Sequence, residues 1–543
     1  MQKNQKSCSL SAYHVFIQPK SSQTARTHST LQSLKKRMSH LYTIKELRAI
    51  EERTLAELPL GTLMQRAGKE AAELVMRLLS PKSENANVLV LAGPGNNGGD
   101  ALETAIILAE NRLNVFVLLV SSRKQQTEEI KLAKKRAIST NIQWEDALSI
   151  QNTIQSLTTR QWDLVIDGMF GIGLKNPLDG IRYQLAEAVN TLHCPVIALD
   201  VPSGLNADTG DIYGKQGIAI KATDTITFLG NKPGLYTCKG RDYAGNIHYV
   251  QLGVEKRHFP SPSRWLNQPS LFSVMLKKRL HNSHKGSYGR VAVLGGADGM
   301  TGAPILAARA ALYCGAGLTY AVYLKNPPAH DTFQPELMFR TTHQFDFSSV
   351  TTVIGPGLGT STAARDLLKA IMEKNEPLVL DADALNIISK ETELQQILED
   401  RHGQTLLTPH PLEAARLLET TTEAIQSDRL YAANTLAKRF NATAVLKGSG
   451  TIIADPNGNT VINPTGGPAL ATPGTGDVLS GICGALLAQN WPSWEAALAA
   501  VWLHGEAADE LVKQDNGPIG LTASELIPQI RRILNRLIKE YDR

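Results

Sequence analysis

Two glycine-rich runs, each closed by an aspartate, carry the clearest chemistry in this chain: Gly93-Pro94-Gly95-Asn96-Asn97-Gly98-Gly99-Asp100 and Pro473-Gly474-Thr475-Gly476-Asp477. Glycine permits close approach of a ligand to the backbone, and a turn entering a helix aims unpaired N–H groups at an anion. The first run packs four glycines, an Asn pair and an Asp into eight residues, more than a tight turn requires. It is neither G-x-G-x-x-G nor G-x-x-x-x-G-K-[ST], so the usual dinucleotide and P-loop readings fail on its letters. The second run opens a helical segment that continues through Val478 and Leu479. Its free N–H groups suit a transferring phosphoryl group, and Asp477 suits a base acting on an attacking hydroxyl. The competing reading is an aspartate placed near a helix N-terminus for dipole reasons alone.

Other polar residues follow apolar runs. Asp167-Gly168-Met169-Phe170-Gly171-Ile172-Gly173 and Asp200-Val201-Pro202-Ser203-Gly204 each put a carboxylate where open α/β sheets bind ligands. Oxygen donors from Asn97, Asp167 and Ser203 suit a hard cation, and a single carboxylate among them favours a monovalent ion over Mg²⁺. Helix capping competes for any one of these aspartates. In the second half, Gly355-Pro356-Gly357-Leu358-Gly359, Asp381-Ala382-Asp383, Thr408-Pro409-His410-Pro411 and Lys447-Gly448-Ser449-Gly450-Thr451 occupy equivalent places. His410, held between two prolines, reads as a ligand-facing residue. Asp381 and Asp383 either reach a nucleotide-bound Mg²⁺ or simply close a strand end.

The elements that must position these groups alternate. Continuous, branched apolar runs at 88–92, 115–120, 164–166, 196–199 and 225–228, with helices at 101–110 and 183–191, give the βαβ signature of a doubly wound parallel sheet. Helical spacing at 44–55 and 64–78 precedes it. The polar, proline-containing stretch 255–265 breaks the rhythm and marks a domain boundary. A second alternation follows, with strands at 290–294, 319–323, 350–354, 378–380, 406–407 and 444–446 and helices near 303–314, 361–373, 412–418, 423–438, 477–488 and 494–511.

At 543 residues and 42% hydrophobic, the chain has material for two cores. A net charge of +5, much of it from the first 45 residues, which lack Asp and Glu, argues against a nucleic-acid surface. Five dispersed cysteines without a C-x-x-C indicate neither a disulfide framework nor a zinc site. No apolar run is long enough to span a membrane, so no membrane association is expected. Residues 1–38 read as a disordered tail or an extension ahead of Met38, with an acid-free organelle transit peptide as the alternative. The expected location is the cytoplasm, or an organelle matrix under that alternative.

In order, GPGNNGGD, DGMFGIG and DVPSG resemble the NAD(P)H-hydrate epimerases, a Rossmann-like family with a bound potassium ion. The resemblance implies that Asn96, Asn97, Gly98, Gly99 and Asp100, with Gly171, Ile172, Gly173, Leu174, Lys175, Asn176 and Pro177, contact the hydrated dinucleotide beside Asp200. It implies that Asn97, Asp167 and Ser203 ligate K⁺. Ala101 departs from the family's usual glycine, and its methyl is expected to tighten the turn. Asp200 is the expected acid/base group, because desolvation raises a carboxyl toward working pH; Lys221 and Lys232 are further candidates, unless they are merely solvated strand-edge lysines.

HKGSYGRVAVLGG, GMTGAP, GPGLG, DADALN, TPHPLE, KGSGT and GTGDVLSG resemble the ribokinase-like superfamily, and within it the ADP/ATP-dependent NAD(P)H-hydrate dehydratases. The resemblance implies that Ala303, Gly357, His410 and Asp477 touch the hydrate, with Asp477 catalytic. It also implies that Lys447, Gly448, Ser449, Gly450, Thr451 and Gly476 hold an adenine nucleotide that arrives with Mg²⁺. Pro473 replaces a glycine common in the family. The expectation is an α/β chain with an epimerase domain at 39–257 and a dehydratase domain at 270–540. It would act on NADHX and NADPHX with ADP, as the fusion favours, or ATP, and form a homo-oligomer. The rivals are a kinase of a vitamin-like alcohol carrying a non-catalytic N-terminal domain, and a binding protein without catalysis.

Overall fold

A computed structural model describes residues 40–80, 85–120, 127–146 and 150–542. The expectations for residues 1–38 lie outside the described residues. The apolar runs of the first half become β1 (Asn87–Ala92), β2 (Asn114–Leu119), β4 (Leu164–Gly168), β5 (Val196–Leu199) and β6 (Asp224–Phe228). Two more polar strands, β3 (Gln143–Asp146) and β7 (Asn246–Val250), close the edges. The order is β3-β2-β1-β4-β5-β6-β7, with every neighbour parallel. Successive residues of a strand point to opposite faces. Val88 and Val90 accordingly join one apolar cluster, and Leu89 and Leu91 the other. The strand order reverses between β1 and β4, where such sheets open a crevice at their carboxyl ends.

The second sheet holds β8 (Arg264–Leu266), β9 (Arg290–Gly295), β10 (Leu318–Tyr323), β11 (Met338–Thr341), β12 (Thr351–Ile354), β13 (Leu378–Leu380), β14 (Thr405–Leu407), β15 (Thr443–Leu446), β16 (Ile452–Ala454) and β17 (Thr460–Ile462). Its order is β11-β10-β9-β12-β13-β14-β15-β16-β17-β8. Only the β15–β16 and β16–β17 pairs are antiparallel. The alanine-rich helix Gly302–Tyr313 and the apolar helix Thr475–Ala488 pack on one face. The segment 255–265, which breaks the rhythm of the sequence, supplies β8: Trp265 pairs with Val461, and Leu41 N donates to Arg264 O at 3.0 Å. The second sheet therefore reaches back to Arg264.

One boundary bears on the first site. The helix begins at Asn96, not at Ala101, so Asn96-Asn97-Gly98-Gly99-Asp100 forms its opening turns. Gly98 N and Gly99 N donate to Gly95 O at 2.9 and 3.2 Å. A Cβ on Gly98 would lie 1.9 Å from Gly93 O, so close backbone packing requires glycine there. Ala101 is consequently a buried helical residue, and its methyl occupies the space left by Gly168, where a Cβ would approach it to 2.4 Å. It tightens no turn.

Candidate active sites

The ends of β1, β4, β5 and β6 enclose a cavity of about 450 Å³, lined among others by Glu51, Asn97, Asp100, Gly171, Asp200 and Lys232. Asp200 sits in the left-handed region at a φ of 66°. Its Oδ2 accepts from Ile172 N at 3.2 Å, and its Oδ1 from Lys232 Nζ. Lys232 is 1% exposed, and its ammonium also donates to Thr227 Oγ1 at 2.8 Å and Phe228 O at 2.7 Å. All three of its donors are thus fixed. Burial lowers the Lys232 pKa, with the Asp200 charge opposing. The strand-edge, solvated reading therefore fails for Lys232 and describes Lys221, whose side chain is exposed and does not line the cavity.

The cavity is acidic. Burial, reinforced by Asp200 and Glu51, holds the Asp100 carboxyl well above its ordinary range, and burial followed by Asp200 raises Glu51. Glu51 comes from the helix Ile44–Leu55 and belongs to no sequence motif; only tertiary packing brings it here.

Asp167 is fully buried, which pushes its carboxyl up to about 6 against opposing hydrogen bonds. Those bonds come from Ser203 Oγ (2.7 Å), Ser203 N (2.8 Å) and Met169 N (3.2 Å). Asn97 is also buried, and neither its Nδ2 nor its Oδ1 has a partner among the described residues. A Cβ on Gly171 would lie 2.7 Å from Asp200 Oδ2 and 3.4 Å from Asn97 Cγ, so this glycine keeps open the space between them. Beyond it, Gly173 lines the cavity, Leu174 and Lys175 line an adjoining groove with Arg48 and Tyr213, and Asn176 and Pro177 are exposed.

The second site lies at the ends of β9, β12, β13, β14 and β15 and at the N-terminus of Thr475–Ala488. Gly474 caps that helix with a φ of 87° and contributes no side chain, leaving its first turn open. Lys447 Nζ donates to Asp381 Oδ1 at 2.8 Å and would lie 3.5 Å from a Cβ on Gly476. Burial opposes the Lys447 charge, yet Asp381 and Glu413 hold its pKa above the ordinary value. Asp477 is pushed up to about 7, chiefly by burial and then by Asp381, with Lys447 opposing.

Gly357, at a φ of 57°, packs beside Met300 and Ala303, so those two expected substrate contacts are neighbours. Asp381 accepts from Ala382 N at 2.9 Å, and Asp383 from Gly359 N at 2.8 Å; both carboxylates close turns. His410 is rigid for a reason other than its prolines. Its Nδ1 accepts from Leu412 N and Glu413 N (3.1 and 3.4 Å), and its Nε2 faces Glu413 Oε1 at 3.2 Å. Burial and the nearby Lys447 charge lower its pKa.

The fold is an α/β chain built on two largely parallel sheets of seven and ten strands, each with a candidate active site at the carboxyl ends of its strands. Residues 60–234 match the family described as YjeF-related protein N-terminus, and residues 291–532 match NAD(P)H-hydrate dehydratase. The chain is 37% identical over 510 residues to a bifunctional NAD(P)H-hydrate repair enzyme of Coxiella burnetii, covering 92% of this chain and 100% of the relative. It is 36% identical over 496 residues to that of Escherichia coli, covering 88% and 90%. Among solved structures, an ADP/ATP-dependent NAD(P)H-hydrate dehydratase from Bacillus subtilis, co-crystallised with ATP/Mg²⁺, is 30% identical with a TM-score of 0.45, covering 50% of this chain and 97% of its own. The chain belongs to the bifunctional NAD(P)H-hydrate repair enzymes.

Proposed function

We propose that the first domain interconverts the R and S epimers of NAD(P)H hydrate and that the second dehydrates the S form to NAD(P)H at the expense of ADP or ATP. The observation that carries this is the coexistence of two unlike machines in one chain: the buried Asp200–Lys232 pair, and Asp477 beside an open helix N-terminus and Lys447.

Inverting the hydroxylated ring carbon requires a bond at that carbon to open and re-form, with proton transfer at each stage. Asp200 moves the proton, and Lys232 fixes its orientation and stabilises its anion. Asn96, Gly171 and Ile172 hold the substrate around them. The donor set fits a monovalent cation: Asn97 offers a buried, unpartnered amide, Asp167 a single carboxylate and Ser203 a hydroxyl. Such an ion supplies a fixed positive charge beside an acidic cavity.

In the second domain, Asp477 takes the proton of the substrate hydroxyl as its oxygen attacks the terminal phosphorus of the nucleotide. The N–H of Gly476 and the Lys447 ammonium stabilise the charge on the phosphoryl oxygens. Phosphate then leaves with the carbon–oxygen bond, and loss of a proton from the adjacent carbon restores the ring double bond. Mg²⁺ would arrive with the nucleotide, held mainly by its phosphates and water. The test is recovery of NADH absorbance from a mixed-epimer hydrate with ADP or ATP. Phosphorylation of a pyrimidine alcohol without NADH recovery overturns the reading.

A further inference from the structure

The turn of Lys447, Gly448, Ser449, Gly450 and Thr451 is not held by its own domain alone. Thr237, a fully buried residue of the first domain, donates its hydroxyl toward Ser449 O at 3.0 Å and Gly450 O at 3.2 Å. Cys238 N donates to Ser449 O at 3.1 Å, and Ser449 Oγ returns a bond to Cys238 O at 3.0 Å. Gly450 lies so close that a Cβ there would sit 2.1 Å from Tyr236 O. Arg241 anchors the same segment through Pro464 O (3.0 Å) and Gly466 O (2.7 Å).

Arg429, 1% exposed, backs the turn from the other side. Its Nε donates to Thr237 Oγ1 at 3.2 Å, its Nη2 to Leu446 O and Lys447 O at 3.3 Å each, and its Nη1 to Gln426 Oε1 at 2.8 Å. All of these partners are neutral oxygens, so the desolvation of a guanidinium is offset only by geometry. The bonds fall on carbonyl oxygens and consume no N–H of Gly448, Ser449 or Gly450, the groups an anionic nucleotide would take.

We infer that Thr237 and Arg429 are positioning residues for the nucleotide turn, the first supplied across the domain boundary, so that the epimerase domain is a working part of the dehydratase's nucleotide site. The inference rests on the reading of residues 447–451 as the nucleotide holder. It is tested in the full chain by titrating ATP and ADP and by steady-state dehydration kinetics. Thr237→Val removes the hydroxyl that donates to Ser449 O and Gly450 O and accepts from Arg429 Nε, and is expected to raise nucleotide Kd and KM about tenfold, with kcat and epimerisation little changed. Thr237→Ser restores the wild-type values, and Arg429→Lys, a second variant should Thr237→Val fold poorly, weakens nucleotide binding in the same direction. Wild-type affinity in Thr237→Val together with lost affinity in Lys447→Gln overturns the positioning role alone. Wild-type affinity in both removes the nucleotide reading and the inference with it. Equal loss of both activities in Thr237→Val with a lowered Tm and no rescue by serine shows a purely structural contact, which also overturns it.

Discussion

The two sites stand at equivalent ends of two parallel sheets, yet they treat a lysine and an aspartate in opposite ways. In the first, the buried Lys232 pairs directly with the expected working carboxylate, Asp200, and the surrounding Glu51 and Asp100 are pushed toward their neutral forms. In the second, Lys447 pairs with Asp381, and the proposed base Asp477 has no ion pair among the described residues and is raised to about 7. Both helices start from a glycine that supplies no side-chain cap, but Gly95 is extended at a φ of −105° and Gly474 is left-handed at a φ of 87°. On the proposed mechanism, one site holds a proton in place and the other receives an anion and a proton together.

The sharpest way to break this contrast is to exchange the losses. Asp477→Asn is expected to reduce dehydration of the S epimer by about 10³-fold or more and leave R/S interconversion intact; Asp200→Asn is expected to do the reverse. Separate assays on resolved epimers check both. A variant that abolishes both activities would erase the division of labour. Lys232→Met comes next: epimerisation should fall by about 10²-fold, because Asp200 loses the partner that fixes it. Dehydration by that variant should remain at the wild-type level.

A smaller, graded effect follows from the raised carboxyl of Asp477. As a base it must be deprotonated, so kcat/KM for dehydration should rise with pH, level off above about 7, and fall roughly tenfold for each unit below. The Asp477→Asn residual rate should lack that limb. An epimerisation profile with the same limb would remove the distinction between the sites.

Much of this arrangement is legible in the sequence, and the gaps have physical causes. Buried parallel strands announce themselves because both faces are covered, as in β1 and β9, where every buried side chain is apolar. The edge strands β3 and β7 carry Gln143, Glu145, Asn246 and His248, since an edge need not be covered, and they escape notice. β16 and β17 are apolar but too short to register. Glycine-rich runs reveal Asn97 and Asp477 because their backbones must be approached closely, and Asp200 shows as a carboxylate at the end of an apolar strand. Lys232 is ambiguous as a letter; only the structure shows its three bonds and its burial. Glu51, Thr237 and Arg429 carry no local signal at all, because their roles arise from segments brought together by folding.

The smallest expected effect sharpens the comparison furthest, because it concerns a feature of the first site alone. An unpaired buried polar group costs about 1–3 kcal/mol, and Asn97 keeps both amide atoms without a partner. In choline chloride, Asn97→Ala should therefore be as stable as the wild-type chain or more stable by about 1 kcal/mol. Saturating KCl should reverse that order: at about one hundred times its Kd a bound ion stabilises the wild type by about 2.7 kcal/mol, and the variant, lacking one ligand, gains less. Thermal unfolding of the first domain in the two salts measures the crossing. If Asn97→Ala is the less stable protein in both, the amide is satisfied by something other than a cation, and the electrostatic contrast between the two sites reduces to the Asp200–Lys232 pair.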